Sequence, residues 1–119
     1  MKKLFNSFKY AWAGISYTLK NELNFVIQLI IFLLVVFAGL LFKINKIEWI
    51  IILLVSAFIF SLELLNTALE ILVDLTTKEY NEFAKKAKDA AAGAVLVMAF
   101  FSILIGITIF YPYILNFFK

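Results

Sequence analysis

The chain has 119 residues, of which 65% are apolar and 16% charged, with a net charge of +3 and a mean hydropathy of +1.01. That balance lies outside the range of water-soluble domains and indicates a membrane protein, while so small a positive charge gives no reason to expect a nucleic-acid partner. There is no cysteine and no histidine, and the 11 basic residues are all lysine. Disulfides, thiolate or imidazole metal sites and Cys- or His-based triads are thereby excluded. Any metal must be held by oxygen, which favours Mg²⁺, and phosphate would meet ammonium groups rather than guanidinium forks.

Residues 1–22 place Phe5, Phe8, Trp12, Ile15 and Leu19 at spacings of three and four, with Lys2, Lys3, Lys9 and Lys20 among them. This pattern predicts an amphipathic helix lying in the membrane surface. Polar interruptions and the lack of a compact apolar core argue against a secretory signal peptide. Residues 25–42 are interrupted only by Gln28 and are about the length of a first span. The short polar turn Lys43 to Glu48 returns the chain antiparallel, and Trp49 suits the interface at the start of a second span over 49–73. Charge is densest over 75–89, expected to be a polar loop leading into the third helix. Ala90, Ala91, Ala92, Gly93 and Ala94 then open a third span over 90–112, with Pro112 marking its end or a kink. The expected architecture is all-α: one surface helix and three transmembrane helices in a single domain, 1–119. Lysines concentrate before the first span and between the second and third, which puts the N-terminus and the 75–89 loop in the cytoplasm.

The second span carries Glu63, Asn66, Glu70 and Asp74. At about 100° per residue they share an arc of about 80°, and Glu63 lies about 16 Å along the axis from Asp74. One face thus runs from within the bilayer to its surface. A carboxylate at the centre of a membrane helix costs about 2.5–3.5 kcal/mol on insertion scales, so several on one face imply a partner. A polar seam between helices would explain the asparagine but leaves the acids without a role.

Two functions from different classes fit this face. A small cation or proton translocator would load and unload its carboxylates during alternating access. An enzyme at the membrane surface would use them to hold Mg²⁺ and take a proton from a lipid hydroxyl, with lysines binding phosphate. Tyr80, Lys88 and Asp89 in the adjoining cytoplasmic segment suit a nucleotide site and have no use in a translocator, and no transporter-like repeat is present. Neither glycine-rich phosphate loop occurs, so phosphoryl transfer would be built differently from that of soluble nucleotide folds.

The segment E-L-L-N-T-A-L-E-I-L-V-D, followed by A-K-D-A-A-A-G-A-V-L, resembles the small prokaryotic diacylglycerol kinase family, which includes undecaprenol kinases. Likeness extends over nearly the whole chain, through Y-A-W-A-G, K-N-E-L-N, the G-L-L-F-K turn and the I-F-Y-P end. It implies a homotrimer in the bacterial cell membrane that transfers the γ-phosphate of MgATP to the hydroxyl of a membrane lipid; because three helices are too thin a scaffold to surround both ATP and a lipid, sites shared between neighbouring subunits are expected. By motif position the resemblance makes Glu63 the general base, and Glu70 with Glu22 the metal-holding pair. Lys88 would neutralise the transferring phosphate, and Asn66 would position the γ-phosphate or the base. Glu79, Tyr80, Asn81 and Asp89 would surround the nucleotide, joined by Tyr10 and Lys3, the latter standing where other members carry arginine. Asp74 is expected to be structural. The A-A-G-A-V-L run and the turn resemble Gram-positive members and point to undecaprenol as the lipid, with diacylglycerol as the alternative.

Overall fold

Four helices account for almost all of the chain in the computed structural model, which describes residues 1–119. They are α1 (Lys2–Asn21), α2 (Leu23–Phe42), α3 (Lys46–Thr76) and α4 (Glu82–Phe117). Three of them, α2, α3 and α4, are long and apolar enough to cross a membrane. At a rise of about 1.5 Å per residue, α2 matches a hydrocarbon core of about 30 Å, whereas α3 and α4 exceed it. The overhang is where the charged residues lie.

Helix boundaries differ from the sequence expectation in three places, each for a local reason. The helix expected over 49–73 runs from Lys46 to Thr76. Its start is set by Asn45, whose Oδ1 accepts the Glu48 N–H at 2.9 Å while Glu48 Oε1 accepts the Asn45 N–H at 3.0 Å. This reciprocal cap satisfies two amide donors and begins the helix before the tryptophan. The helix expected over 90–112 begins at Glu82, so most of the presumed 75–89 loop is helical. Asn81 Oδ1 accepts the N–H groups of Phe83 and Ala84, and Lys86–Glu82 and Lys85–Asp89 pairs lie one turn apart along the new helix. The opposite end of α4 passes through Pro112 to Phe117. Proline denies the Thr108 carbonyl its usual donor, yet the last turns are held by Phe42, whose ring centroid lies 6.2, 6.3 and 5.9 Å from those of Phe110, Tyr113 and Phe117.

Helix α3 is the spine, with α2 and α4 antiparallel on either side of it. Phe60 on α3 packs between Phe25 and Phe32 of α2, at centroid distances of 5.5 and 5.7 Å. That register brings Glu22, at the start of α2, about level with Asn66 on α3. Two polar contacts pin α4 to α3 at their ends: the Tyr113 hydroxyl donates to Glu48 Oε1, and Lys88 pairs with Asp74.

The turn between α2 and α3 depends on one close approach. Lys43 adopts a left-handed conformation at φ 53°, ψ 55°, and its N–H returns to the Gly39 carbonyl. Trp49 then folds over Gly39, so that a Cβ added there would lie 2.7 Å from Trp49 Cη2. Only glycine admits the indole at that distance. Gly39→Ala is therefore expected to lower stability by about 1–3 kcal/mol through overpacking, measured by thermal unfolding in detergent, with recovery when Trp49→Leu is added.

Candidate active site

Burial within one protomer is scarce: nine of 119 residues are buried, and three of these are Thr18, Glu63 and Thr67. Polar burial on that scale, in a chain so apolar, marks a place rather than a scatter. Glu63 is 4% exposed on α3. Thr67 lies one turn further along the same helix, and Thr18 is on α1, where that helix meets α3. The Thr18 hydroxyl donates to the Gly14 carbonyl at 2.9 Å, so it stays on its own helix.

Acids face one another here. Glu22 and Glu70 are the charges that bear on Glu63, and no hydrogen bond supports its carboxylate. Glu22 forms the break between α1 and α2, serving as C-cap of one and N-cap of the other at φ −115°, ψ 106°. Its extended backbone ends α1, and the half-buried side chain lies at the mouth of the bundle. One turn beyond Asn66, Glu70 is half-buried and accepts the Asn66 Nδ2 at 3.5 Å. Asn66 Oδ1 is buried with no partner, an acceptor left open beside the Glu70 carboxylate. An unpaired buried acceptor costs about 1–3 kcal/mol, and a cation or a donor brought by a ligand would satisfy it.

The lysines stand on the neighbouring helix. Lys88, half-buried on the second turn of α4, pairs with Asp74 across the α3–α4 junction. Asp89 is exposed and pairs with Lys85 at 2.7 Å. Glu79 and Tyr80 lie exposed in the short connection 77–81, where the Thr77 hydroxyl donates to the Glu79 carbonyl at 3.2 Å. Asn81 occupies its carboxamide oxygen in capping α4, leaving its amide hydrogens free for other contacts.

Helix α1 covers the opposite flank. Tyr10 and Thr18 from α1, with Leu64, Thr67 and Ile71 from α3, line a groove of about 360 Å³. Lys3 is exposed on the first turn of α1. The structure thus gathers Glu22, Glu63, Asn66 and Glu70 at one place, whereas the groove lined by Tyr10 includes none of them. Lys88, Asp89, Glu79 and Tyr80 do not line that groove; they approach from the α4 side. Thr18 and Thr67 were missed by sequence reasoning. Thr67 adjoins Asn66 in the acidic motif, but Thr18 carries no sequence signal, since a threonine within a surface helix is unremarkable until another helix covers it.

A second cavity, of about 350 Å³, lies between α2, α3 and α4 on the far side of Glu63 from the charged end. Apolar side chains dominate it, with Gln28, Ser56 and Ser102 as its polar members. It begins about one helical turn from Glu63, at Ile59 and Phe60, and runs towards the α2–α3 turn. A buried carboxylate therefore separates a water-facing, charged end from an apolar cavity of hydrocarbon character.

Three apolar helices with an acidic face on one of them indicate a membrane protein, and comparison with known proteins identifies the class. Residues 9–110 match the family model described as prokaryotic diacylglycerol kinase. The undecaprenol kinase of Bacillus subtilis (strain 168) is 46% identical over 112 residues, covering 94% of this chain and 91% of that kinase. The diacylglycerol kinase of Synechocystis sp. (strain ATCC 27184 / PCC 6803 / Kazusa) is 43% identical over 111 residues, covering 92% of this chain and 63% of its own length. The diacylglycerol kinase of Escherichia coli (strain K12) is 30% identical over 88 residues, or 74% of this chain and 72% of that one. The chain belongs to the prokaryotic diacylglycerol kinase family and is a lipid kinase.

The cap that Asn81 forms on α4 can be tested by itself. Asn81→Asp keeps an acceptor for both amide groups and should hold stability near wild type, whereas Asn81→Ala should lose about 1 kcal/mol. Chemical unfolding in detergent micelles reads the difference.

Proposed function

We propose that the protein phosphorylates undecaprenol, using MgATP, at a site in which Glu63 is the general base. The observation that carries this reading is the position of Glu63: buried, facing Glu22 and Glu70, and lying between the charged end of α3 and an apolar cavity. A lipid hydroxyl and a nucleotide phosphate arrive from different phases, and this is where their paths cross. The lipid oxygen attacks the γ-phosphorus and forms the new P–O bond. The bond to the β,γ-bridging oxygen breaks, ADP leaves with its electron pair, and the hydroxyl proton passes to a Glu63 carboxylate oxygen.

No three acids stand close enough to hold a metal by themselves. Mg²⁺ asks for less, since it binds through one or two carboxylates and completes its shell with phosphate and water. Glu70 and Glu22 supply such a pair in an all-oxygen setting, and the orphaned Asn66 oxygen beside Glu70 fits the same chemistry. When bound there, the ion would offset phosphate charge. Lys88 supplies a second positive charge to the transferring group, and the amide of Asn66 orients it. Tyr10 and Lys3 from α1, with Glu79, Tyr80, Asn81 and Asp89 from the connection and α4, contact the nucleotide.

Undecaprenol is preferred to diacylglycerol because the 46% identity to the Bacillus subtilis undecaprenol kinase extends over nearly the full length of both chains. The Synechocystis diacylglycerol kinase, at 43%, keeps diacylglycerol as the second reading. In the cell membrane, the apolar stripe of α1 lies in the interface, with the N-terminus and the 77–81 connection cytoplasmic, as the lysine distribution supports. A homotrimer with shared sites accounts for how little one protomer buries.

Two measurements test this. With labelled ATP and a panel of lipid alcohols, purified protein should phosphorylate undecaprenol faster than diacylglycerol, and the reverse order would overturn the lipid assignment. Glu63→Gln should lower turnover by at least about 100-fold, at the low end of general-base contributions, while ATP affinity stays near wild type. Turnover close to wild type would remove Glu63 from the proton transfer.

A further inference from the structure

Asp74 is the one acid of the α3 face to which the reaction above assigns nothing. It nevertheless makes the only ion pair that joins two helices, since Lys85–Asp89 and Lys86–Glu82 both lie within α4. Its partner is Lys88, whose charge the transfer requires. A lysine that stays paired has that charge already cancelled and does little for a transferring phosphoryl group.

We propose that Asp74 is a positioning residue: it holds the Lys88 ammonium in the nucleotide-free protein and yields it to the phosphate of bound ATP. Helix geometry makes the exchange short. Asp74 follows Glu70 by four residues on the same face, a rise of about 6 Å. A lysine side chain covers that distance by changing rotamers, with the first turn of α4 ordered by its Asn81 cap and the helix held to α3 at its far end by the Tyr113–Glu48 contact. Solvent exposure makes the exchange inexpensive. The side chains of Lys88 and Asp74 are 39% and 65% exposed, so the pair is weak enough to be broken by a triphosphate. Without Asp74, the ammonium has no fixed resting place on a four-carbon stem. With it, Lys88 waits one turn from where Glu70 would hold the metal-bound phosphates. The inference rests on the phosphate role of Lys88 proposed above.

The test is binding of Mg²⁺ with a non-hydrolysable ATP analogue to full-length protein in nanodiscs, read by calorimetry. Because binding must first break the pair, Asp74→Asn should tighten analogue affinity about two- to fivefold, the range expected of an exposed ion pair. Asp74→Glu should return it to wild type. In a Lys88→Met background, Asp74→Asn should change nothing. Weaker binding by Asp74→Asn, or the same gain without Lys88, would overturn the proposal, the latter reducing Asp74 to simple charge repulsion. If Lys88→Met binds the analogue as wild type does, the phosphate role of Lys88 falls, and this proposal with it. If Lys88→Met weakens binding but Asp74→Asn does not tighten it, only the holding role of Asp74 falls. Should Asp74→Asn fail to fold, solid-state NMR of the unaltered protein decides: a Lys88 Nζ to Asp74 carboxyl contact is expected without nucleotide and lost with the analogue. Its persistence would overturn the exchange.

Discussion

A carboxylate buried among apolar helices sets the terms for everything around it. Glu63 is 4% exposed, faces two further acids and accepts no hydrogen bond from the protein. On insertion scales an acid at that depth costs about 2.5–3.5 kcal/mol, and the surrounding fold must accommodate it. The solution is positional. Helices α3 and α4 extend beyond the length of α2, so Glu70 and Asp74 fall progressively closer to water, and polar character grades along a single helix face instead of ending abruptly.

That grading explains why the protein can be so thin. Helices α2 and α4 both lean on α3, leaving cavities on either side of Glu63 rather than a filled core. A water-soluble domain with nine buried residues in 119 would not hold together. Here three helices are apolar and long enough to lie in a membrane that covers them, and they need only agree on register. Three contacts impose it: the Phe60 ring between Phe25 and Phe32, the Tyr113–Glu48 hydrogen bond at one end and the Asp74–Lys88 pair at the other. Structure and chemistry overlap at the last of these if Lys88 has the phosphate role proposed for it, because the same side chain then also joins α4 to α3.

Most of the helices could be read from residues alone. The apolar run over 25–42 permits little else, and the spacing of Glu63, Asn66, Glu70 and Asp74 places them on one face once the segment is helical. Boundaries were harder, because they depend on individual hydrogen bonds. Asn45 and Asn81 begin α3 and α4 earlier than hydropathy implied, since a cap stabilises polar turns that no apolar pattern announces. Pro112 suggests an end or a kink, and aromatic packing against Phe42 accompanies the helix past it.

By itself, the sequence determined the class of protein, the number of apolar spans and the acidic face, because these follow from composition and from a helical period that local chemistry enforces. Tertiary structure decided which of those residues meet. Glu22 joins Glu63 and Glu70 only because α2 returns antiparallel beside α3, Thr18 becomes buried only where α1 meets α3, and Lys88 finds Asp74 only across the α3–α4 junction. Partners separated by a turn or a whole helix are chosen by register and packing, and neither leaves a periodic mark in the chain.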